Sequence, residues 1–216
     1  MFNQSQILSF IMSIPAVLFA ITIHECAHGW AAYLMGDHTA RYSGRLSLNP
    51  LRHMDPIGAL CMLFFRFGWA KPVPVNSSNF RNRRAGIVTV SLAGPLSNFV
   101  TGLICCILFY MISFFTQGES ALSRFALTIL IQSVYMNVGL MIFNLIPIPP
   151  LDGSKILLEF LPYRWQYKIY AYERYFGLIL ILLVYAGSMT PVLSFFQSYV
   201  LMFYEFISSL ILNLFI

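Results

Sequence analysis

Long uncharged runs decide what this chain can fold into. Residues 7–23 and 29–35 carry no charged side chain, and neither do 87–116, 125–146 and 175–204. A hydrocarbon layer about 30 Å thick takes about 20 helical residues to cross. Inside it every backbone group must find its partner within the segment, so an open sheet cannot serve. Composition agrees: 58% of the 216 residues are hydrophobic and 10% are charged, against roughly 45–50% and 25% in soluble domains. The chain therefore reads as an integral membrane protein, all-α, with residues 1–216 forming a single transmembrane domain. The first run has no basic n-region and ends at no small-residue cleavage site, so it is expected to stay as a helix rather than be removed as a signal peptide.

Five crossings are expected: 7–33, 87–116, 125–146, and two from 175–204, where residues 187–191 (GSMTP) read as a turn. A further apolar run, 56–65, is too short for an ordinary span and ends at Arg66. It reads as a re-entrant or β-hairpin element packed against protein, with a full sixth crossing as the alternative. Between 67 and 79 the sequence FGWAKPVPVNSSN interleaves apolar residues with prolines, which forbids helix and suits an extended edge strand or loop. The expected fold is thus five to six transmembrane helices with that short element between the first two.

Basic residues in short loops concentrate on the cytoplasmic side. If 56–65 does not cross, every Lys and Arg except Arg124 falls on one side. That asymmetry favours five crossings, with the N-terminus outside and the C-terminus in the cytoplasm. The same placement explains the net charge of +5 as lipid topology and excludes nucleic acid as a partner. The four cysteines, Cys26, Cys61, Cys105 and Cys106, lie in apolar surroundings without CxxC pairing and read as packing residues.

Against this background the stretch HECAH, residues 24–28, is anomalous. Residues four apart share a helix face, so His24 and His28 stack about 6 Å apart, close enough to bind one metal ion. Glu25 projects beside them, placed to act as a base on water. This is the HExxH pattern of zinc hydrolases. The bland reading is a pair of core histidines, but intramembrane ionisable groups cost about 2.5–3.5 kcal/mol each on insertion scales and mark function by default.

A catalytic zinc needs a third protein ligand. The remaining carboxylates and histidines are Asp37, Asp55, Glu119, Asp152, Glu159, Glu173, Glu205, His38 and His53. Asp152 stands out because it follows an apolar helix within NLIPIPPLDGSK, on the side where the first helix ends. Its competing role is an N-cap for a short following helix. His53 is either an auxiliary ligand or an interfacial histidine near Asp55, the second being preferred, and Glu205 is an acid inside the last span without an assigned task.

HECAH (24–28), GRLSLNPLRHMDPIGA (44–59), GWAKPVPVN (68–76), AGPLSN (93–98) and NLIPIPPLDG (144–153) occur in that order. Together they resemble the site-2 protease family of intramembrane zinc metalloproteases over roughly residues 15–160. The resemblance implies one Zn2+ per chain held by His24, His28 and Asp152, with Glu25 as general base. It places Asn98 near the scissile peptide and matches Asn144 to the asparagine before the family's proline-rich turn. The implied substrate is a transmembrane protein cut within the bilayer, from a multi-pass enzyme in the cell membrane with its active site near the cytoplasmic side. No PDZ-like insertion or nucleotide-sensing tail is recognised, so any regulators are expected to act in trans. Asn98 could hold an oxyanion or, with Gly94 and Ser97, simply pack helices. Segment 68–76 could take up an unwound substrate by strand addition. Two other classes compete: a membrane zinc protease completed by Glu159 or Glu173, and a non-enzyme, either a metal transporter or an inactive relative.

Overall fold

The computed structural model describes residues 4–58, 61 and 70–214, and the regular elements among them are all helical. Helix α1, Gln4–Met35, carries the first apolar run. It stops at Gly36, whose φ of 108° lets its own N–H and that of Asp37 bond back to Tyr33 and Ala32. That pair of bonds is a Schellman turn, and the left-handed position is one that glycine adopts without penalty. A short helix α2, Thr39–Tyr42, follows. Asn82 caps α3, Arg83–Thr116, through the Ala85 N–H. Gln117 and Gly118, both left-handed, reverse the chain into α4, Ala121–Leu145, which Ser120 caps. Three shorter segments then lead to α8, Thr190–Leu212: α5 (Asp152–Leu158), α6 (Tyr163–Ala171) and α7 (Glu173–Tyr185).

Four helices among the described residues are long and apolar enough to cross a membrane: α1, α3, α4 and α8. The protein is therefore a multi-pass membrane protein, and the described residues show four of the expected five to six crossings. The shortfall lies in the run 175–204. Its first half forms α7, whose 13 residues reach about 20 Å at 1.5 Å per residue, against a layer of about 30 Å. Helix direction agrees. Phe99 stacks on Phe203 and accepts the Tyr204 hydroxyl, while Cys106, farther along α3, lies beside Ser208. Contacts that advance together on both helices make α8 parallel to α3, so α7 returns to the side it left. The charge asymmetry survives this change, because no basic residue follows Arg174.

Most of the expected re-entrant or hairpin element, 59–60 and 62–65, lies outside the described residues, as do 67–69 of the proline-rich segment. The described part of that segment is an extended loop with one antiparallel bridge, Ala70 to Met54, and no strand. Two arginines stitch it down. The Arg45 guanidinium donates to the carbonyls of Lys71 (2.6 Å), Pro72 (3.0 Å) and Arg52, and Arg52 in turn reaches the Gly44 carbonyl. The far end is held by Asp37, whose carboxylate accepts from the Asn76 N–H (2.7 Å) and the Asn79 amide (2.8 Å).

The main core lies between α3, α4 and α8, where Cys105, Cys106, Val134, Val138 and Tyr204 are buried together. Cys26 is buried as well, and all four cysteines are free. Outward faces carry large apolar residues such as Phe19, Val100, Leu108 and Phe195, as expected where lipid replaces water. Helix α6 differs: exposed Tyr163, Trp165 and Tyr167 alternate with Arg164 and Lys168, the composition of a helix lying at the membrane interface.

Candidate metal centre

Helix α1 presents His24 and His28 on one face, and α3 passes antiparallel to it. The His24 Nδ1 lies 2.6 Å from the Asn98 Oδ1, and the His28 Nδ1 lies 2.7 Å from the Val90 carbonyl. Both partners are oxygens, so each Nδ1 carries its proton and donates. The neutral ring then exposes a lone pair at Nε2. The Asn98 oxygen is identified by its amide nitrogen, which donates to the Ala20 carbonyl (3.2 Å) and to the Asn137 Oδ1 (2.8 Å).

Gly94 lies between those α3 contacts. A Cβ there would sit 2.5 Å from the His28 Nε2 and 2.6 Å from the His24 Cε1. Only a glycine lets the α3 backbone press against both rings.

The third group arrives from the far end of α4. The proline-rich turn reverses the chain and includes a cis peptide between Pro149 and Pro150. Gly153 allows α5 to begin directly under α4, since a Cβ at that position would come within 2.2 Å of the Leu145 carbonyl oxygen. This places the Asp152 Oδ2 3.3 Å from the His24 Nε2 and 3.1 Å from the His28 Nε2, while the two Nε2 atoms are 3.0 Å apart. The competing N-cap role is not seen: Leu151 occupies the N-cap position, and no side chain caps α5. Lys155 binds the other Asp152 oxygen at 2.9 Å.

Two lone pairs and a carboxylate oxygen thus converge on one point, and all three residues are at least nine-tenths buried. Such a triangle is repulsive unless a cation or a proton lies within it. Its edges of 3.0, 3.1 and 3.3 Å lie within a few tenths of an ångström of those around zinc, whose nitrogen and oxygen ligands at about 2.0–2.1 Å in tetrahedral array stand about 3.3–3.4 Å apart. This is the one group of three or more His, Cys, Asp or Glu side chains among the described residues that could hold a metal. Glu159, Glu173, His53 and Glu205 are not part of it.

Glu25 is not one of the three converging ligand residues, and its Oε2 accepts the Val73 N–H at 2.9 Å. Asn98 has no free amide atom to offer a substrate. It is 0% exposed, and both ends of its amide are taken up by the bonds above. Asn144 is half-buried and donates to the Leu140 carbonyl of its own helix at 3.0 Å. His53 is buried, with its Nε2 against the Ser47 carbonyl at 2.7 Å. Three contributors were not anticipated from the sequence: Val73, Asn137, and Gly94 as the seat of the imidazoles. Asn137 did carry a signal, being a lone amide deep in an uncharged span. The other two depend on contacts between distant segments.

Comparison with known proteins points to metalloproteases. The family model described as Peptidase family M50 matches residues 111–185, a stretch that contains Asp152 but not the histidines. A Bacillus subtilis (strain 168) protein named "Putative zinc metalloprotease YwhC" is 38% identical over 175 residues, covering 78% of this chain and 77% of its own. A Mycolicibacterium smegmatis protein named "Putative zinc metalloprotease Rip2" is 28% identical over 204 residues, covering 91% of this chain and 74% of its own. Its namesake in Mycobacterium tuberculosis (strain H37Rv) is 29% identical over 187 residues, with coverages of 82% and 67%. No solved structure matches the chain.

Proposed function

The chain belongs to peptidase family M50, the site-2 protease family of metalloproteases, and from that premise we propose that it hydrolyses peptide bonds within transmembrane segments of substrate proteins. The observation that carries this reading is the convergence of the His24 and His28 Nε2 atoms with the Asp152 Oδ2 inside a membrane helix bundle. These three residues hold one zinc ion per chain. When bound, zinc supplies Lewis acidity, lowering the pKa of water towards about 7 and polarising a scissile carbonyl.

The chain's own residues do the rest. Glu25 takes the proton from the attacking water and passes it to the leaving amine. The Val73 N–H holds the Glu25 carboxylate at the edge of the site and is positioned to fix its direction. Val73 belongs to segment 68–76, which takes up an unwound substrate by strand addition; its described part, 70–76, is extended. Asn144 is assigned to the substrate side; Asn98 is not, because its amide is fully engaged with His24, Ala20 and Asn137. The enzyme sits in the cell membrane with its site near the cytoplasmic face, a placement supported by the basic residues gathered on the side where α1 ends. Its partners are the lipid bilayer and a transmembrane protein substrate, and regulators act in trans.

The test pairs the purified protein with its Glu25→Gln variant, each measured for bound zinc and for cleavage of a model transmembrane substrate. Zinc in both and cleavage only in the first is the expected result. Cleavage by the variant, or an active wild-type protein free of metal, overturns the reading.

A further inference from the structure

Of the two imidazoles, only His24 is oriented by a group that can itself turn over. The His28 Nδ1 donates to a backbone carbonyl of α3, Val90, and a helix carbonyl cannot rotate. The His24 Nδ1 faces a side-chain amide, Asn98. Were that amide to turn by 180°, it would present its NH2 to Nδ1, drive the ring proton to Nε2, and remove the lone pair that faces Asp152 and His28.

Two acceptors hold the Asn98 amide in its working orientation. Ala20 receives one proton at 3.2 Å, and the Asn137 Oδ1 receives the other at 2.8 Å. The shorter bond is the one from α4. Asn137 is in turn held by donating its own NH2 to the Ser133 carbonyl at 2.8 Å, which leaves its oxygen facing Asn98. Both asparagines are 0% exposed. A buried amide in a membrane span is costly unless fully hydrogen-bonded, and α4 carries this one at the level where α3 passes Asn98.

We propose that Asn137 is a positioning residue for the metal centre: through Asn98 it sets the tautomer and direction of His24, so that Ser133, Asn137, Asn98 and His24 form one directed chain of hydrogen bonds ending at the Nε2 lone pair. This rests on the zinc reading above. Partners of metal-bound histidines typically alter metal affinity by about 10- to 100-fold when removed. Asn137 acts one bond farther out, so its removal should weaken zinc binding by about tenfold, the lower end of that range.

The test uses the full-length protein in detergent. Zinc affinity is measured by competition with a chromophoric chelator for wild type, Asn137→Leu, Asn98→Leu and the double variant, with thermal unfolding of the zinc-free forms in parallel. Asn137→Leu keeps similar volume and removes the acceptor. The expected results are about a tenfold loss for Asn137→Leu, a larger loss for Asn98→Leu, and no further loss when Asn137→Leu is added to Asn98→Leu. A merely structural role would lower the unfolding temperature and leave the zinc affinity of the folded fraction unchanged. Unchanged affinity, or an equal loss in both backgrounds, overturns the proposal. Should Asn137→Leu fail to fold, Asn137→Ser, which is too short to reach Asn98, answers the same question. Wild-type protein that binds no zinc overturns the functional reading as well, whereas zinc in wild type with unaltered affinity in the variant overturns this inference alone.

Discussion

Gly94→Ala tests the geometry of the metal centre with a single methyl group. On helix propensity alone the change favours folding by about 0.5–1 kcal/mol, because glycine inside a helix loses more backbone freedom than alanine. The structure predicts the opposite outcome for the site. The new Cβ would stand 2.5 Å from the His28 Nε2 and 2.6 Å from the Cε1 atoms of both rings, where ordinary contact begins near 3.5 Å. Relief therefore needs a displacement of about 1 Å, and metal–ligand distances tolerate only about ±0.2 Å. The rings cannot swing aside freely, since each Nδ1 is tied to α3, so the strain falls on helix spacing and on the ligand triangle. Overpacking of this kind costs about 1–3 kcal/mol. Carried in full by the zinc-bound state, that is a loss of zinc affinity between about 5-fold and 150-fold. Chelator competition measures the affinity, and thermal unfolding with and without zinc separates the helix effect from the site effect. If Gly94→Ala binds zinc as tightly as the parent, α3 does not press on the imidazoles as described.

Two further outcomes follow from the segment that faces Glu25. Val73→Pro removes the one N–H bonded to the Glu25 carboxylate at a site already flanked by prolines. Zinc content should stay unchanged while kcat falls about tenfold, in line with the loss of roughly 1.4 kcal/mol of charge-assisted positioning; single-turnover cleavage with metal analysis checks both. Asp37 is buried, and although burial opposes its charge, its bonds from Thr39, Asn76 and Asn79 hold its carboxyl below the usual carboxylate range. A folded pKa lowered in this way contributes stability that is present above the unfolded value of about 3.9 and lost as pH falls through the folded value. Asp37→Asn should therefore destabilise the protein by about 1.5–3 kcal/mol at neutral pH and flatten its acid sensitivity, as read from thermal unfolding between pH 7 and 3. Equal acid sensitivity in variant and parent would refute that assignment.

Much of the site was legible because helix periodicity is a local rule. Placing His24 and His28 four apart is enough to align their side chains on any straight helix, and Glu25 follows between them. Asp152 could be singled out because the prolines before it and Gly153 after it describe a turn on the side where α1 ends. The crossing count was less legible. Hydropathy reports that 175–204 is apolar, but only the contacts of Phe203, Tyr204 and Ser208 with α3 reveal the direction of α8, and only the structure shows that α7 is 13 residues long. Asn98 illustrates a different limit. Its motif marks it as part of the site, but whether its amide faces a substrate or an imidazole depends on Ala20 and Asn137, which lie 78 and 39 residues away.

What the sequence determined by itself is the solvent and the pattern: uncharged runs of membrane length require helices in lipid, and HECAH within the first of them sets two histidines on one helix face with a glutamate beside them. The tertiary structure alone decided how those groups are aimed. A lone pair's direction depends on which atom opposes the other ring nitrogen, and an ion's fit depends on distances of a few tenths of an ångström between segments more than a hundred residues apart. Both are set by how closely α3 lies against α1 and how α5 tucks beneath α4, quantities that no local pattern encodes.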